Sequence, residues 1–332
     1  MGALSVSGGS MGARIKRRSR ELCFFLLQAA PPAVYGGQAV IEGVMMRGPK
    51  KTAVAIRKPD RTVLVETEVN KSITNRFPFL KLPLLRGVVA LFESLIIGIR
   101  YLTFSANHAL DEEEEELTTR DLVLTVTIAL AFAIGIFVLL PAGAGWLLQN
   151  KLSIVWQNVV EGLLRLLLLV VYIVLIGRLQ DIQRVFQYHG AEHKVINALE
   201  AGEDLNIANI KAYSTLHPRC GTSFLLIVVA LTIVLFTLVS HGGIIWRMAS
   251  RLALLPLVAG LAYELLKFTG RHFHVPIVRA IAAPGLWLQK LTTREPDEDM
   301  LEVALAALMA VRDEGCEQEV RQDVGEARAA GS

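Results

Sequence analysis

The sequence predicts a mainly α, polytopic helical membrane protein, with about four transmembrane helices, one interfacial or re-entrant helix and a small N-terminal β element. Three observations predict it. Hydrophobic residues make up 53% of the chain and charged residues only 20%, against about 25% charge in ordinary soluble domains. The apolar excess is gathered into runs of roughly 20 residues, the length that crosses about 30 Å of hydrocarbon. Basic residues crowd some of the connections between these runs and avoid others, as loops on the two sides of a membrane do.

Residues 1–34 read as a disordered or signal-like extension. A basic cluster (Arg14, Lys16, Arg17, Arg18, Arg20) precedes the short apolar stretch Leu22 to Ala30, an order that signal peptides share. Residues 35–78 form a glycine-rich and β-hairpin region. Its Val- and Thr-rich segments 52–57 and 62–69 flank Lys58-Pro59-Asp60-Arg61, which predicts two strands around a turn. In Tyr35 to Pro49, Gly36, Gly37, Gly43 and Gly48 permit tight turns or close approach of a ligand. The order G-x-x-x-x-G-K-[ST] of a phosphate loop is missing. Glu42 and Arg47 are the charges of this stretch; they serve a site or pair with each other.

Residues 79–268 form the predicted membrane domain. Within 79–104, Arg86, Glu93 and Arg100 recur every seven residues and so share one helical stripe. Such a helix makes a poor lipid-facing span and is expected to be interfacial or re-entrant. Residues 122–148 carry no charge and are the clearest span, with Pro141, Gly143 and Gly145 loosening its far end. The second span, 155–177, has Glu161 and Arg165 four apart, where they can pair on one face. Residues 221–246 form the third, and 248–266 the fourth, with Glu264 near its end. The run Asp111 to Glu116 reads as a solvated linker that complements a helix N-terminus.

Orientation follows from the loops. Segment 178–220 and the region after 266 are rich in Lys and Arg, as is the N-terminal region, whereas 149–157 and 240–247 hold one basic residue each. The positive-inside rule therefore predicts a multi-pass protein of the cell membrane with the 35–78 region, the 178–220 loop and both termini cytoplasmic. Residues 269–312 are the cytoplasmic C-terminal helical region. In 297–312, Leu301, Ala304, Leu305, Leu308 and Val311 share a face, and acidic residues open the helix that Arg312 closes. A disordered tail, 313–332, is expected to follow. The lipid bilayer is the partner these features imply. A net charge of +3 gives no argument for nucleic acid. A substrate, a protein partner and a homo-oligomeric state stay open. Cys23, Cys220 and Cys316 make no disulfide framework and suit a reducing compartment.

The chemistry concentrates in His189-x-x-Glu192-His193, the H-x-x-E-H order of inverted zinc hydrolases. On a helix His189 and His193 lie one turn apart on one face, where two imidazoles can hold one zinc. Glu192 stands beside them as the catalytic base. Three further ligands are on offer: Glu264 at the end of the last span, and His217 and Cys220 in the loop that also carries Arg219. A plainer account is also open. Histidines suit membrane interfaces, Glu192 can pair with Lys194 or Arg184, and Glu264 with Lys267. His241, His272 and His274 read as interfacial.

The blocks YGGQAVIEGVMMRGP (35–49), LLRGVVALFESLIIGI (84–99), FQYHGAEHKVINALEAGE (186–203), LHPRCGTSFL (216–225), LPLVAGLAYELLKF (255–268) and PGLWLQKLTTREPDEDMLEVALAAL (284–308) together resemble the YqhQ-like family of bacterial membrane proteins, a domain of unknown function. The resemblance runs from about residue 35 to 310 and implies a metal-dependent protein. It places the histidines, Glu192, Glu42 and the His217–Cys220 segment inside the shared blocks. The expected function is a zinc-dependent hydrolase working at the cytoplasmic membrane face. The alternative is a non-catalytic membrane scaffold or assembly factor whose polar blocks bind a partner. A transporter is disfavoured, since intramembrane charges are few and inverted repeats are not evident.

Overall fold

The computed structural model describes residues 35–70, 72–109, 118–239 and 243–312. The expectations for 1–34, the acidic run 111–116, His241 and the tail lie outside the described residues.

Four antiparallel strands open the fold in the order β1 (Gly36–Val40), β2 (Gly43–Arg47), β3 (Lys51–Arg57) and β4 (Val63–Val69). The last two are the predicted hairpin. The glycine-rich stretch, whose glycines permit tight turns or close approach of a ligand, supplies β1 and β2, with Glu42 at φ 51° in the turn between them. Hydrophobic alternation explains the sheet. Val44, Met46, Ala53 and Ala55 point to one face and join a core with helices, whereas Val40, Met45, Val54 and Ile56 point to the other and pack on Tyr101. Side chains two apart share a face, so β2 and β3 are buried on both sides.

The helices are α1 (Ile73–Arg76), α2 (Leu85–Ala109), α3 (Thr119–Ile134), α4 (Leu140–Leu147), α5 (Ile154–Ile176), α6 (Gln180–Glu200), α7 (Ile207–Lys211), α8 (Gly221–Val239), α9 (Ile244–Arg271), α10 (Pro276–Gln289) and α11 (Glu298–Val311). A π-helical turn, Gly135–Leu139, joins α3 to α4. Five helices are long and apolar enough to cross a membrane: α2, the continuous Arg120–Leu147 rod, α5, α8 and α9. The segment expected to be interfacial or re-entrant is thus one of the five. It is a single unbroken helix, with no chain reversal inside it. Its charged stripe is fully matched: Arg86 pairs with Glu264 on α9, Glu93 with Arg47 on β2, and Arg100 with Glu68 on β4. Those partners come from other parts of the chain, so the spacing of the stripe alone does not reveal them.

Helix α11 closes the first core. Leu301, Ala304, Leu308 and Val311 are buried against β2, β3 and α6, with Leu305 half-buried at the edge. The sheet, α6, α7 and α11 therefore form one packed unit, and α6 carries the H-x-x-E-H residues.

Candidate metal centre

Helix α6 presents His189, Glu192 and His193 inward. Gly190 lets it approach the Thr292–Arg294 turn, since a Cβ there would fall on the Arg294 carbonyl oxygen. The second component is the turn before α8. Gln289, fully buried at the end of α10, clamps it: the His217 N–H donates to Gln289 Oε1 at 2.9 Å and Gln289 Nε2 donates to the His217 carbonyl at 2.9 Å. This clamp sets Cys220 against α6.

The two histidines are oriented alike. Nδ1 of His189 lies 2.9 Å from the Thr292 carbonyl, and Nδ1 of His193 lies 2.6 Å from the Thr215 carbonyl. A carbonyl only accepts, so each Nδ1 carries the proton and each Nε2 is left with a free lone pair. Cys220 Sγ is 3.3 Å from His189 Nε2. One ligand atom from each of His189, His193 and Cys220 lies within 4.8 Å of the others. Metal-binding histidines characteristically donate their second nitrogen to a carbonyl or carboxylate, and both do so here.

Glu192 lines the same cavity, of about 100 Å³, with Tyr35, Gly37, His189, His193 and Cys220. A Cβ at Gly37 would meet Glu192 Cγ and Cδ at 2.9 Å, so the glycine lets β1 close over the carboxyl. Its expected cationic partners are engaged elsewhere: Arg184 with Glu42, and Lys194 with Glu295 and the Lys211 carbonyl. Burial pushes the Glu192 carboxyl up to about 7, against smaller opposing effects of His189 and the Gly37 N–H. Burial also pushes His193 down, which favours the neutral, ligating form.

The other predicted site residues are placed differently. The His217 ring sits 5.7 Å from the His193 ring, but its Nε2 lies 3.4 Å from Glu200 and its Nδ1 accepts the Arg219 N–H at 3.4 Å. Arg219 itself pairs with Glu200. Burial tends to raise the Glu200 carboxyl, and the His217 and Arg219 contacts outweigh it to hold the group low. Glu264, expected as a third ligand, is taken by Arg86, whose Nε donates to it at 2.6 Å, and it lies outside the ligand cluster. Cys220 lies with His189 and His193 in the ligand cluster. Glu42 faces Arg184 and Tyr188, and Arg47 faces Glu93. The two threonine carbonyls that hold the histidines leave no signal in the sequence, because a backbone acceptor has none, and Gln289 leaves none because it acts on a turn 72 residues away.

The family model described as a protein of unknown function (DUF1385) matches residues 82–314. The chain is also 36% identical over 289 residues to the uncharacterized protein YqhQ of Bacillus subtilis (strain 168), covering 83% of this chain and 91% of that one. The chain belongs to the DUF1385 family. His189, Glu192, His193, Cys220 and Gln289 all fall within the family span, whereas Gly37 precedes it. No solved structure matches the chain.

Proposed function

We propose that this family member is a zinc-dependent hydrolase whose site faces the cytoplasmic side of the membrane. One observation carries the reading: two imidazoles, each with its Nδ1 held by a backbone carbonyl, offer one ligand atom apiece within 4.8 Å of one cysteine sulfur. Two nitrogens and a sulfur suit zinc, and a site with three protein ligands leaves a position open for substrate or water, as catalytic zinc sites do. His189, His193 and Cys220 would hold the ion. When bound, zinc supplies a Lewis acid. Glu192, near neutrality in its titration, takes the proton of a water that attacks the substrate and returns it to the leaving group. A base poised near the working pH is the efficient choice.

In this reading the sheet, α6 and α11 lie on the cytoplasmic side, which the positive-inside bias of the loops supports. Helix α2 lies along the membrane surface in this arrangement. Its Ile97, Tyr101 and Phe104 pack on the sheet, while Phe92, Leu95, Ile96 and Leu102 stay exposed and meet the lipid.

Zinc content of the purified full-length protein tests the assignment. The expected result is about one zinc per chain, lost when His189→Ala and His193→Ala are combined and kept in Glu192→Gln. A wild-type protein that stays folded and takes up no zinc overturns it.

A further inference from the structure

The membrane helices enclose a second polar centre, far from the first. Arg165 and Glu161 on α5 and Arg247 and Arg251 on α9 are all buried, Arg251 at 0% exposure and Glu161 at 1%. Thr232 on α8, which accepts from Arg165 at 2.6 Å, is twelve residues beyond Cys220. That is roughly 18 Å along the helix.

Among the described residues the charges do not balance. Arg251 takes Glu161 with two donors, at 3.2 and 3.1 Å. Arg165 and Arg247 reach the same carboxylate only at 3.4 Å each. Their other partners are neutral: the Phe137 carbonyl and Thr232 for Arg165, and Gln157 for Arg247. Among the described residues Glu161 is the one carboxylate bonded to this cluster. The Nε of Arg247 is buried with no hydrogen-bond partner, in a side chain only 5% exposed. Guanidinium groups keep their protons, and an uncompensated buried charge is costly. Ionisable groups inside a membrane domain mark functional sites by default. The surroundings are built for the cluster. The π-turn, a feature common at functional sites, contains the carbonyl that Arg165 uses, and Gly145 leaves space for Arg247 Nη2, which a Cβ would meet at 2.8 Å.

We propose that Arg165, Arg247 and Arg251 form an anion site within the membrane domain that takes a phosphate group, either as free phosphate or as a phospholipid headgroup. The two positive charges left over among the described residues suit free phosphate near neutral pH or the single charge of a phosphodiester headgroup, and the planar guanidinium fork matches its oxygens. The site is separate from the metal cluster and does not depend on the hydrolase reading.

The test uses full-length protein in phosphatidylcholine nanodiscs, titrated calorimetrically with sodium phosphate at constant ionic strength. The wild type binds. Arg247→Gln binds about tenfold more weakly, the worth of one charge-assisted hydrogen bond. Should Arg247→Gln fail to yield monodisperse protein, Arg247→Lys keeps the charge, loses the Nε donor and shows a smaller weakening. A second arm adds phosphatidylglycerol to the discs and follows lipid retention by native mass spectrometry. Retention that falls in the Arg247 variant assigns the site to a headgroup; binding of free phosphate alone assigns it to the inorganic ion. Absence of both in the wild type, or equal binding by the folded variant, overturns the proposal.

Discussion

Cys220 Sγ and His189 Nε2 lie 3.3 Å apart across 31 residues of chain. The contact joins a helix face to a turn pinned by Gln289. If this is a ligand set, the sulfur is indispensable. Loss of outer-shell partners alone costs about 10–100-fold in metal affinity, so removal of a ligand atom costs more. Cys220→Ser is expected to weaken zinc binding by more than about 100-fold, read by competition with a chromogenic chelator. Unchanged affinity would remove Cys220 from the site.

Gly190 is where the helix meets the turn that orients His189. An added methyl would fall on the Arg294 carbonyl and lie 3.3 Å from Thr215 Cγ2, crowding both turns that hold the histidine Nδ1 atoms. Gly190→Ala is expected to destabilise the fold by about 1–3 kcal/mol, as overpacking does, and to lower zinc occupancy. Gly143→Ala is the control: a Cβ there meets nothing within 4 Å, and helix propensity favours alanine by up to about 1 kcal/mol. Denaturant unfolding of both variants checks the pair.

Local pattern made half of the site legible. His189, Glu192 and His193 sit within one helical turn, so their relation follows from spacing alone, and Cys220 was within reach because it belongs to a short loop between two apolar runs. Glu264 misled because its partner, Arg86, is 178 residues away; nothing local says that α2 and α9 pack. Close contact of Gly87 with Gly260 and Tyr263 brings them together, and two glycines far apart carry no pairing signal. The Gly36–Arg47 segment shows the same limit. Its glycines allow turns or close approach and name no strand, yet its Val and Met residues are buried on both faces of the sheet, which tertiary packing decides. The arginine centre was half visible: Glu161 and Arg165 share a face at i, i+4, but Arg247 and Arg251 join them only because α8 packs against both α5 and α9.

Glu192 gives the protein a pH signature in its metal-free form. Its folded carboxyl titrates near 7, above the ordinary 4.5. A raised carboxyl means that the folded state binds the proton more tightly than the unfolded one. Its contribution is therefore full below about pH 4.5 and is lost as pH rises through 7, amounting to about 3 kcal/mol. His193, pushed down by burial, acts in the opposite sense, losing stability as pH falls below the ordinary histidine range. The difference between wild type and Glu192→Gln isolates the carboxyl. In chelator-treated protein, the wild type should lose more stability than the variant between pH 5 and about 8, measured by urea unfolding. Parallel profiles would show that the carboxyl is not desolvated.

Helix α2 distinguishes two arrangements by geometry alone. Phe92 and Leu102 are both exposed on it and ten residues apart, or about 15 Å along the axis. A helix crossing the bilayer puts them at depths differing by nearly that distance. A helix lying on the membrane, with the sheet packed on Ile97, Tyr101 and Phe104, puts them at one depth near the headgroups. Tryptophan placed singly at 92 or 102, with the native tryptophans replaced by phenylalanine, reports depth through quenching by lipids brominated at different acyl positions. Equal, shallow quenching is expected from the packing of the sheet along the C-terminal half of the helix, because that sheet carries Arg47, Lys51 and Arg57 and belongs in water. Depths that differ by most of the 15 Å would place α2 across the bilayer and would carry the β1–β4 sheet into the hydrocarbon with it, a cost its charged residues make prohibitive unless other protein surrounds it.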